Sequence, residues 1–256
     1  MKHLVVRLIM LGFVSVTLSQ CKKVENDTDS KTQLNHPEPI TKIFDAHGSY
    51  SAWSQMNLLS FSLANGERQL IDLHSRKVLV EGEKRTIGFD GKDVWVVPDS
   101  LTTGARFYHN LYFYFFSMPF VLGDPGINYE IVGDKELFGM NLSGIKISYG
   151  DGVGDSPKDN YILYFDKASN TMKALMYTVT FKSQEASDKF NLIKYDEWQE
   201  VEGILLPKKL QWYQYKNDSV GEMRNEVIFS GITLSKDKPN GKSFIKPEGA
   251  GIAGMQ

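Results

Sequence analysis

Histidine and cysteine are the side chains most often used for chemistry, and this chain of 256 residues has five histidines and one cysteine. His3 lies at the N-terminus and His36 in a polar stretch, while His47, His74 and His109 are far apart in the sequence. No H-x-x-x-H or H-E-x-x-H spacing occurs, so the sequence offers few of the His and Cys ligands that a zinc site usually has. We therefore interpret the three internal histidines as structural and predict no metal site.

Two polar motifs lie in one loop between expected strands. Gly154-Asp155-Ser156 looks like the Gly-Asp-Ser block of a family of esterases, but no histidine follows His109 to act as the base, and a G-x-S-x-G elbow is absent. The carboxylates of the loop Asp151–Asp159 could offer oxygen ligands to calcium. Their spacing does not match the EF-hand loop, and Gly, Asp and Pro are the residues that turns require. We interpret the loop as a turn.

Cofactor and nucleic-acid signals are missing from the sequence. It contains no G-x-G-x-x-G, Walker or C-x-x-C motif, and we predict no cofactor. A net charge of −2 argues against nucleic acid, which requires a basic face. A glycosidase pair of carboxylates stays open, because such pairs meet in space rather than in sequence.

The N-terminus predicts export. Lys2, His3 and Arg7 precede the apolar run 8–18, which has the form of a secretory signal peptide and is shorter than the roughly 20 residues of a spanning helix. We expect residues 1–20 to be this signal and residues 21–38, which are polar, to be a flexible tether. A lone cysteine cannot form an internal disulfide, so the core alone must hold the mature fold.

The cysteine follows directly on the signal. Leu18-Ser19-Gln20-Cys21 resembles the bacterial lipobox, although Gln20 departs from the small residue that the pattern prefers. The resemblance implies that Cys21 is diacylated and becomes the first mature residue. We therefore expect a membrane partner through Cys21 and a place in the cell envelope, anchored to the outer membrane on its periplasmic or surface face.

The densest aromatic run of the chain, residues 107–126, lies between strand-like stretches. We predict a helix over Leu101–Met118, broken by Pro119, although its aromatics also have high strand propensity. A first helix is predicted over Pro39–Met56, interrupted by Gly48. The aromatic run is either a plug of the core or the wall of a ligand site.

The rest of the chain has the pattern of short strands joined by hairpin turns, and the predicted strands include 137–142, 144–149, 192–201 and 205–215. Turn signals occur at Asn65-Gly66, Asp90-Gly91, Asp166–Asn170, Gly203 and Asn217-Asp218. Such spacing implies antiparallel order. We predict a mainly β fold in a single domain over residues 39–248, with about ten strands in one large sheet, two principal helices, and a frayed tail over residues 249–256.

Three motifs resemble those of uncharacterised Bacteroidota outer-membrane lipoproteins with a LolA/LolB-like half-barrel fold. They are Ala46-His47-Gly48 with Trp53, Met118-Pro119-Phe120 with Asp124-Pro125-Gly126, and Gly154–Pro157 before Tyr161. The resemblance covers about residues 40–245. It implies a curved antiparallel half-barrel around helices, with a cavity of the kind that houses acyl chains in LolA/LolB-type proteins.

We hypothesise that this protein binds a lipid, acyl chain or other hydrophobic ligand between the sheet and the aromatic helix, and that it is a monomer. The expected ligand-binding residues are Trp95, Phe107, Leu111, Tyr112, Phe113, Phe115, Phe116, Met118 and Phe120. One alternative is an envelope hydrolase that uses His47 or His109 with a carboxylate at the pocket mouth. Another is a structural lipoprotein. Whether a reaction occurs stays open, and no catalytic residue is assigned.

Overall fold

The computed structural model describes residues 36–149, 158–183 and 185–254, which belong to one compact unit. The expected signal peptide, Cys21 and most of the Asp151–Asp159 loop lie outside the described residues.

Four short α-helices lie in the described part of the chain. They are α1 (Glu38–Ala46), α2 (Tyr50–Trp53), α3 (Ala105–Tyr108) and α4 (Leu111–Phe116). Single 3₁₀ turns cover Asp99–Leu101, Phe120–Gly123 and Gly241–Phe244. None of these helices is long and apolar enough to span a membrane.

Strands dominate the described residues. The N-terminal group is β1 (Leu58–Leu63), β2 (Arg68–Asp72), β3 (Val78–Glu81), β4 (Thr86–Phe89) and β5 (Val94–Val97). The middle group is β6 (Ile127–Leu137), β7 (Met140–Tyr149), β8 (Tyr161–Phe165), β9 (Met172–Tyr177) and β10 (Asn191–Lys194). The last group is β11 (Trp198–Val201), β12 (Ile204–Pro207), β13 (Lys209–Lys216), β14 (Ser219–Ser235) and β15 (Gly251–Ile252).

One antiparallel sheet contains thirteen of these strands, in the order β15-β5-β4-β3-β2-β1-β14-β13-β10-β9-β8-β7-β6, and β11 and β12 form a separate pair. The long strand β14 joins the two halves of the sheet: one end pairs with β13 and the other with β1. The prediction of a mainly β fold with a large antiparallel sheet is confirmed. The predicted hairpin turns also join neighbouring antiparallel strands.

The sheet is strongly curved at the β6 end. Lys135 of β6 forms an ion pair with Asp218 in the β13–β14 turn, and Phe138 lies 4.9 Å from Tyr213 of β13 between ring centroids. In a flat sheet, strands that are five places apart would lie roughly 24 Å from each other. The curvature of the sheet brings these side chains together above a second, smaller apolar cluster that includes Tyr164. The main core lies on the other face of the sheet.

The strand count exceeds the prediction for local reasons. The stretches 192–201 and 205–215 each divide into two strands, and Thr86–Phe89 and Gly251–Ile252 are additional strands. Conversely, most of the expected strands 137–142 and 144–149 forms the single strand β7 (Met140–Tyr149), while Leu137 is the last residue of β6. The short β15 pairs with β5, and Ala253 donates its backbone N–H to the Val94 carbonyl over 2.8 Å, where we expected a frayed tail.

The first helix ends earlier than predicted. The predicted interruption falls at Gly48, which has φ +109°, a conformation that favours glycine. A Cβ there would lie 2.2 Å from the Gly203 carbonyl oxygen, so the approach of the β11–β12 turn also requires glycine. Before α1, His36 bonds the Gly123 carbonyl over 2.9 Å and packs against Tyr50, although we expected the tether to continue to residue 38.

The aromatic segment is not one helix, which corrects the prediction of two principal helices. Gly104, with φ +69°, precedes α3, and Asn110 separates α3 from α4. Aromatic residues have only modest helix propensity, so packing rather than propagation decides where each turn of helix lies. The segment therefore presents its rings to several walls of the core.

Candidate functional site

A cavity of about 420 Å³ lies between the aromatic segment and strands β7–β9. This volume is within the range of small-molecule sites, which is roughly 300–1,000 Å³. The lining residues are Arg76, Phe89, Arg106, Phe107, His109, Asn110, Leu111, Phe113, Tyr114, Phe115, Val121, Asp124, Ile127, Tyr149, Asp159, Tyr161, Tyr177, Thr178, Val179 and Phe181.

The helical wall of the cavity is apolar. Phe107 of α3 and Leu111, Phe113 and Phe115 of α4 contribute side chains to it. Phe115 packs at 4.8 Å from the Tyr177 ring, between centroids, so this wall contacts the sheet directly. Aromatic rings bury large apolar areas, and the wall suits a hydrophobic group.

The opening of the cavity carries exposed apolar side chains. Phe107 is 39% exposed and Val179 is 45% exposed. The ring of Phe107 lies 5.4 Å from that of Phe181, between centroids. Apolar groups that stay in water at a cavity mouth are typical of ligand-binding clefts.

The sheet wall is rich in tyrosine, and strand register explains why. Tyr161 is the direct cross-strand partner of Tyr177, and Ile147, two residues before Tyr149, is the partner of Tyr161 on the other side. Because side chains alternate along a strand, Tyr149, Tyr161 and Tyr177 point to the same face. Tyr149 and Tyr161 lie 5.8 Å apart and Tyr161 and Tyr177 6.3 Å apart, between ring centroids.

Hydrogen bonds fix these tyrosines. The Tyr149 hydroxyl bonds the hydroxyl of Tyr114 from α4, and the Trp212 indole N–H donates to the Tyr177 hydroxyl over 3.0 Å. Burial raises the pKa of Tyr149, Tyr161 and Tyr177 above the ordinary value, so these hydroxyls stay protonated at neutral pH.

Asp159 is a buried carboxylate in the cavity wall, only 8% exposed. The backbone N–H and the hydroxyl of Thr180 both donate to its Oδ1, over 2.6 and 2.7 Å. Burial raises the pKa of Asp159, while the hydrogen bonds from Thr180 and Tyr161 act in the opposite direction.

An ion pair closes another part of the wall. Arg76 donates from one guanidinium nitrogen to both carboxylate oxygens of Asp124, each over 2.6 Å. The guanidinium also lies 5.2 Å from the centroid of the Phe113 ring, a cation–π arrangement. Burial raises the pKa of Asp124, and Arg76 opposes that shift. The same two residues line a neighbouring space of about 330 Å³.

The α3–α4 junction adds polar groups. His109 is 3% exposed, and its Nδ1 bonds the Arg106 carbonyl oxygen over 2.6 Å. The side-chain oxygen of Asn110 is buried and accepts no hydrogen bond from the described part of the protein. His109 and Asn110 both line the cavity.

The nine expected ligand-binding residues divide into two groups. Phe107, Leu111, Phe113 and Phe115 line the cavity, whereas Trp95, Tyr112, Phe116, Met118 and Phe120 do not belong to its lining.

The second group lies in other contacts. Phe116 packs between Phe61 and Phe229, each 4.6 Å from it between centroids. Phe120 stacks on Trp53 at 4.9 Å, and Met118 is fully buried in the core. Tyr112 packs edge-on against Tyr108. Trp95 lies against Gly88 and donates its indole N–H to the Phe244 carbonyl over 3.1 Å.

The histidines take separate positions. His109 alone among His47, His74 and His109 lines the main cavity, and His74 is exposed. His47 is fully buried, its Nδ1 bonds the Ile43 carbonyl over 2.7 Å, and burial lowers its pKa to about 4. Within the described residues, no three His, Cys, Asp or Glu side chains form a group that could hold a metal.

Sequence reasoning missed the sheet wall. Tyr149, Asp159, Tyr161, Tyr177 and Phe181 are separated by up to 32 positions, and only the register of β7, β8 and β9 brings them together. Tyrosines at alternating positions of neighbouring strands were the available signal. Their pairing could not be assigned before the strands were placed.

The chain belongs to a protein family of unknown function, DUF6503, whose model matches residues 84–221, more than half of the sequence. The matched region contains every cavity-lining residue except Arg76. No curated protein is significantly similar to this sequence.

Several solved structures are similar in backbone. A LolA-superfamily protein from Nitrosomonas europaea has a TM-score of 0.45 at 12% identity, over 74% of this chain and 87% of that one. A putative outer membrane lipoprotein-sorting protein domain from Vibrio parahaemolyticus has a TM-score of 0.41 at 9% identity, over 75% and 93%. A DUF1329 family protein from Desulfovibrio piger has a TM-score of 0.39 at 9% identity, over 77% and 93%.

Proposed function

We propose that this protein binds a hydrophobic or amphipathic small molecule, such as a lipid or an acyl chain, in the cavity between the aromatic segment and β7–β9. The observation that carries the proposal is the cavity of about 420 Å³ with phenylalanines on one wall and tyrosines on the other. An apolar space with a few fixed polar groups is the usual form of a ligand site. The exposed Phe107 and Val179 give such a molecule an apolar entrance.

We further propose that the protein is exported and anchored to the outer membrane through an acylated Cys21, as a monomer. The signal-like run 8–18 and the lipobox-like residues 18–21 support this location. A Cys21→Ser variant is expected to leave the membrane fraction, while continued membrane fractionation of that variant would contradict the anchor. We also propose that this protein is related to the uncharacterised Bacteroidota outer-membrane lipoproteins that its three sequence motifs resemble.

A hydrolase with His109 at the cavity is the second candidate. His109 and Asp159 both line the cavity, so a histidine and a carboxylate share this space. His47, the other expected base, is not in the lining. The binding proposal is preferred because the lining is dominated by aromatic and aliphatic side chains.

Native mass spectrometry tests the binding proposal directly. The purified Cys21→Ser protein is expected to carry one co-purifying molecule whose removal by organic extraction returns the mass of the bare chain. Extracted protein should then take up one equivalent of a neutral hydrophobic dye such as N-phenyl-1-naphthylamine. A protein that carries nothing and takes up no dye would refute the proposal.

A further inference from the structure

A buried negative charge in the cavity wall has no cationic partner among the described residues. Asp159 is 8% exposed, and its carboxylate accepts from the backbone N–H and the hydroxyl of Thr180. No Lys or Arg lies within ion-pair distance of it in the described ranges. A carboxylate in low-dielectric surroundings is costly unless an opposite charge compensates it.

The rings around Asp159 have the form that a cation prefers. The ring of Tyr161 lies 5.8 Å from that of Tyr149 and 6.3 Å from that of Tyr177, between centroids. The Tyr149 and Tyr161 planes are nearly perpendicular, at 86°, so the two rings form a corner rather than a flat wall. Aromatic faces attract cations, and corners of several rings hold quaternary ammonium groups in proteins.

A second acceptor lies in the same cavity. The amide oxygen of Asn110 is buried and accepts no hydrogen bond within the described residues. An unsatisfied buried acceptor costs free energy, and a donor on a bound molecule would remove that cost. The carboxylate of Asp159 and the amide of Asn110 therefore both accept, and an ammonium group only donates.

One cationic side chain of the lining is already paired. Arg76 is neutralised by two hydrogen bonds to Asp124. Arg106 also lines the cavity, so the preference for a cation is local to Asp159 and the rings beside it. An anionic head group would lie near the Asp159 carboxylate, which has no cationic partner in the described part of the chain, whereas a cationic head group would supply one.

From these contacts we infer that the ligand carries a positively charged nitrogen, held by Asp159 among the rings of Tyr149, Tyr161 and Tyr177, with its apolar part against Phe113 and Phe115. This inference rests on the proposed binding function and adds the chemical class of the ligand: an amine or quaternary ammonium amphiphile.

Displacement of the bound neutral dye tests the inference. Four molecules with twelve-carbon chains are compared below their micelle concentrations: dodecylamine, dodecyltrimethylammonium, dodecanoate and dodecyl maltoside. Both cations are expected to displace the dye at concentrations about tenfold lower than dodecanoate or the maltoside. A stronger effect of dodecylamine would assign the contact to the acceptors of Asp159 and Asn110, and a stronger effect of dodecyltrimethylammonium would assign it to the rings.

The variants separate charge from shape. Asp159→Asn keeps an oxygen that accepts from Thr180 but removes the charge, so both cations should lose their advantage over dodecanoate and the maltoside, each compared with that variant's own dye affinity. Glu130→Gln changes the net charge equally at an exposed position of β6 and should keep the preference. Equal displacement by all four molecules, or a preference that survives in Asp159→Asn, would overturn the inference and leave the proposed function standing. If no molecule and no dye binds, the proposed function itself has failed.

Discussion

At the scale of single residues, Trp95 occupies the space that a side chain at position 88 would need. A Cβ on Gly88 would lie 2.0 Å from the Trp95 ring. The indole cannot move away freely, because its N–H is bonded to Phe244 and only 3% of the residue is exposed. Sequence alone suggested a ligand contact for Trp95, since an aromatic residue in a strand gives no sign of which face it occupies.

Gly88→Ala is therefore expected to destabilise the protein by roughly 1–3 kcal/mol, the usual cost of overpacking a core. Urea unfolding followed by tryptophan fluorescence measures this change. Gly133→Ala is the matched control, because nothing lies within 4 Å of a Cβ at that position. Equal stability of the two variants would show that the Gly88–Trp95 contact is not tight.

His47 gives the protein a pH-dependent stability. Burial lowers its pKa to about 4, compared with about 6.5 in an unfolded chain. Between these values the unfolded state binds a proton that the folded state does not, so stability falls as the pH falls. The expected loss from this group is about 2–3 kcal/mol between pH 7 and pH 4.5.

Urea unfolding of the wild type and His47→Gln at both pH values isolates that contribution. The variant should lose less stability on acidification than the wild type, while the exposed control His74→Gln should behave like the wild type. An unchanged pH dependence in His47→Gln would show that His47 is not held neutral in the fold.

At the scale of elements, the aromatic segment serves both of the roles that its sequence left open. Phe116 belongs to the core between Phe61 and Phe229, and Phe113 and Phe115 line the cavity. The density of rings could be read from the sequence. The breaks at Gly104 and Asn110 could not, because they depend on which wall each ring packs against.

Two alanine substitutions in α4 should therefore have different consequences. Phe116→Ala is expected to cost roughly 3–5 kcal/mol of stability, as for other buried phenylalanines, and to leave dye affinity per folded molecule unchanged. Phe113→Ala should lower stability and also alter dye binding, since its ring forms the wall and supports Arg76. Urea unfolding combined with dye titration compares the two, and identical binding profiles would contradict this division of α4.

At the scale of the whole molecule, local turn chemistry made the antiparallel order predictable. Asn65-Gly66, Asp90-Gly91 and Asn217-Asp218 each join neighbouring strands, as their residue types indicate. Curvature was expected only from family resemblance. Its physical basis is the curl of β6 toward the β13–β14 turn, shown by the Lys135–Asp218 pair, and such long-range contacts leave no pattern in the sequence.

One wall of the candidate site could be predicted from the sequence, and the other could not. Its helical wall comes from one continuous stretch, Phe107–Phe115, whose composition stands out. Its sheet wall comes from three strands, and Asp159 with Tyr161 and Tyr177 converge only through strand pairing. The charge chemistry of the site therefore became visible only in the folded chain.

Filling the cavity without disturbing the core would test ligand binding at this site most directly. Leu111 is a half-buried lining residue of α4, and Leu111→Trp should occupy the space where a ligand would lie. Leu101→Trp places the same side chain at a position that is 39% exposed and outside the lining. Titration with N-phenyl-1-naphthylamine should show one saturable site in the wild type and in Leu101→Trp, and none in folded Leu111→Trp. Unchanged binding by Leu111→Trp would refute the proposed site, because the dye would then bind somewhere other than this cavity.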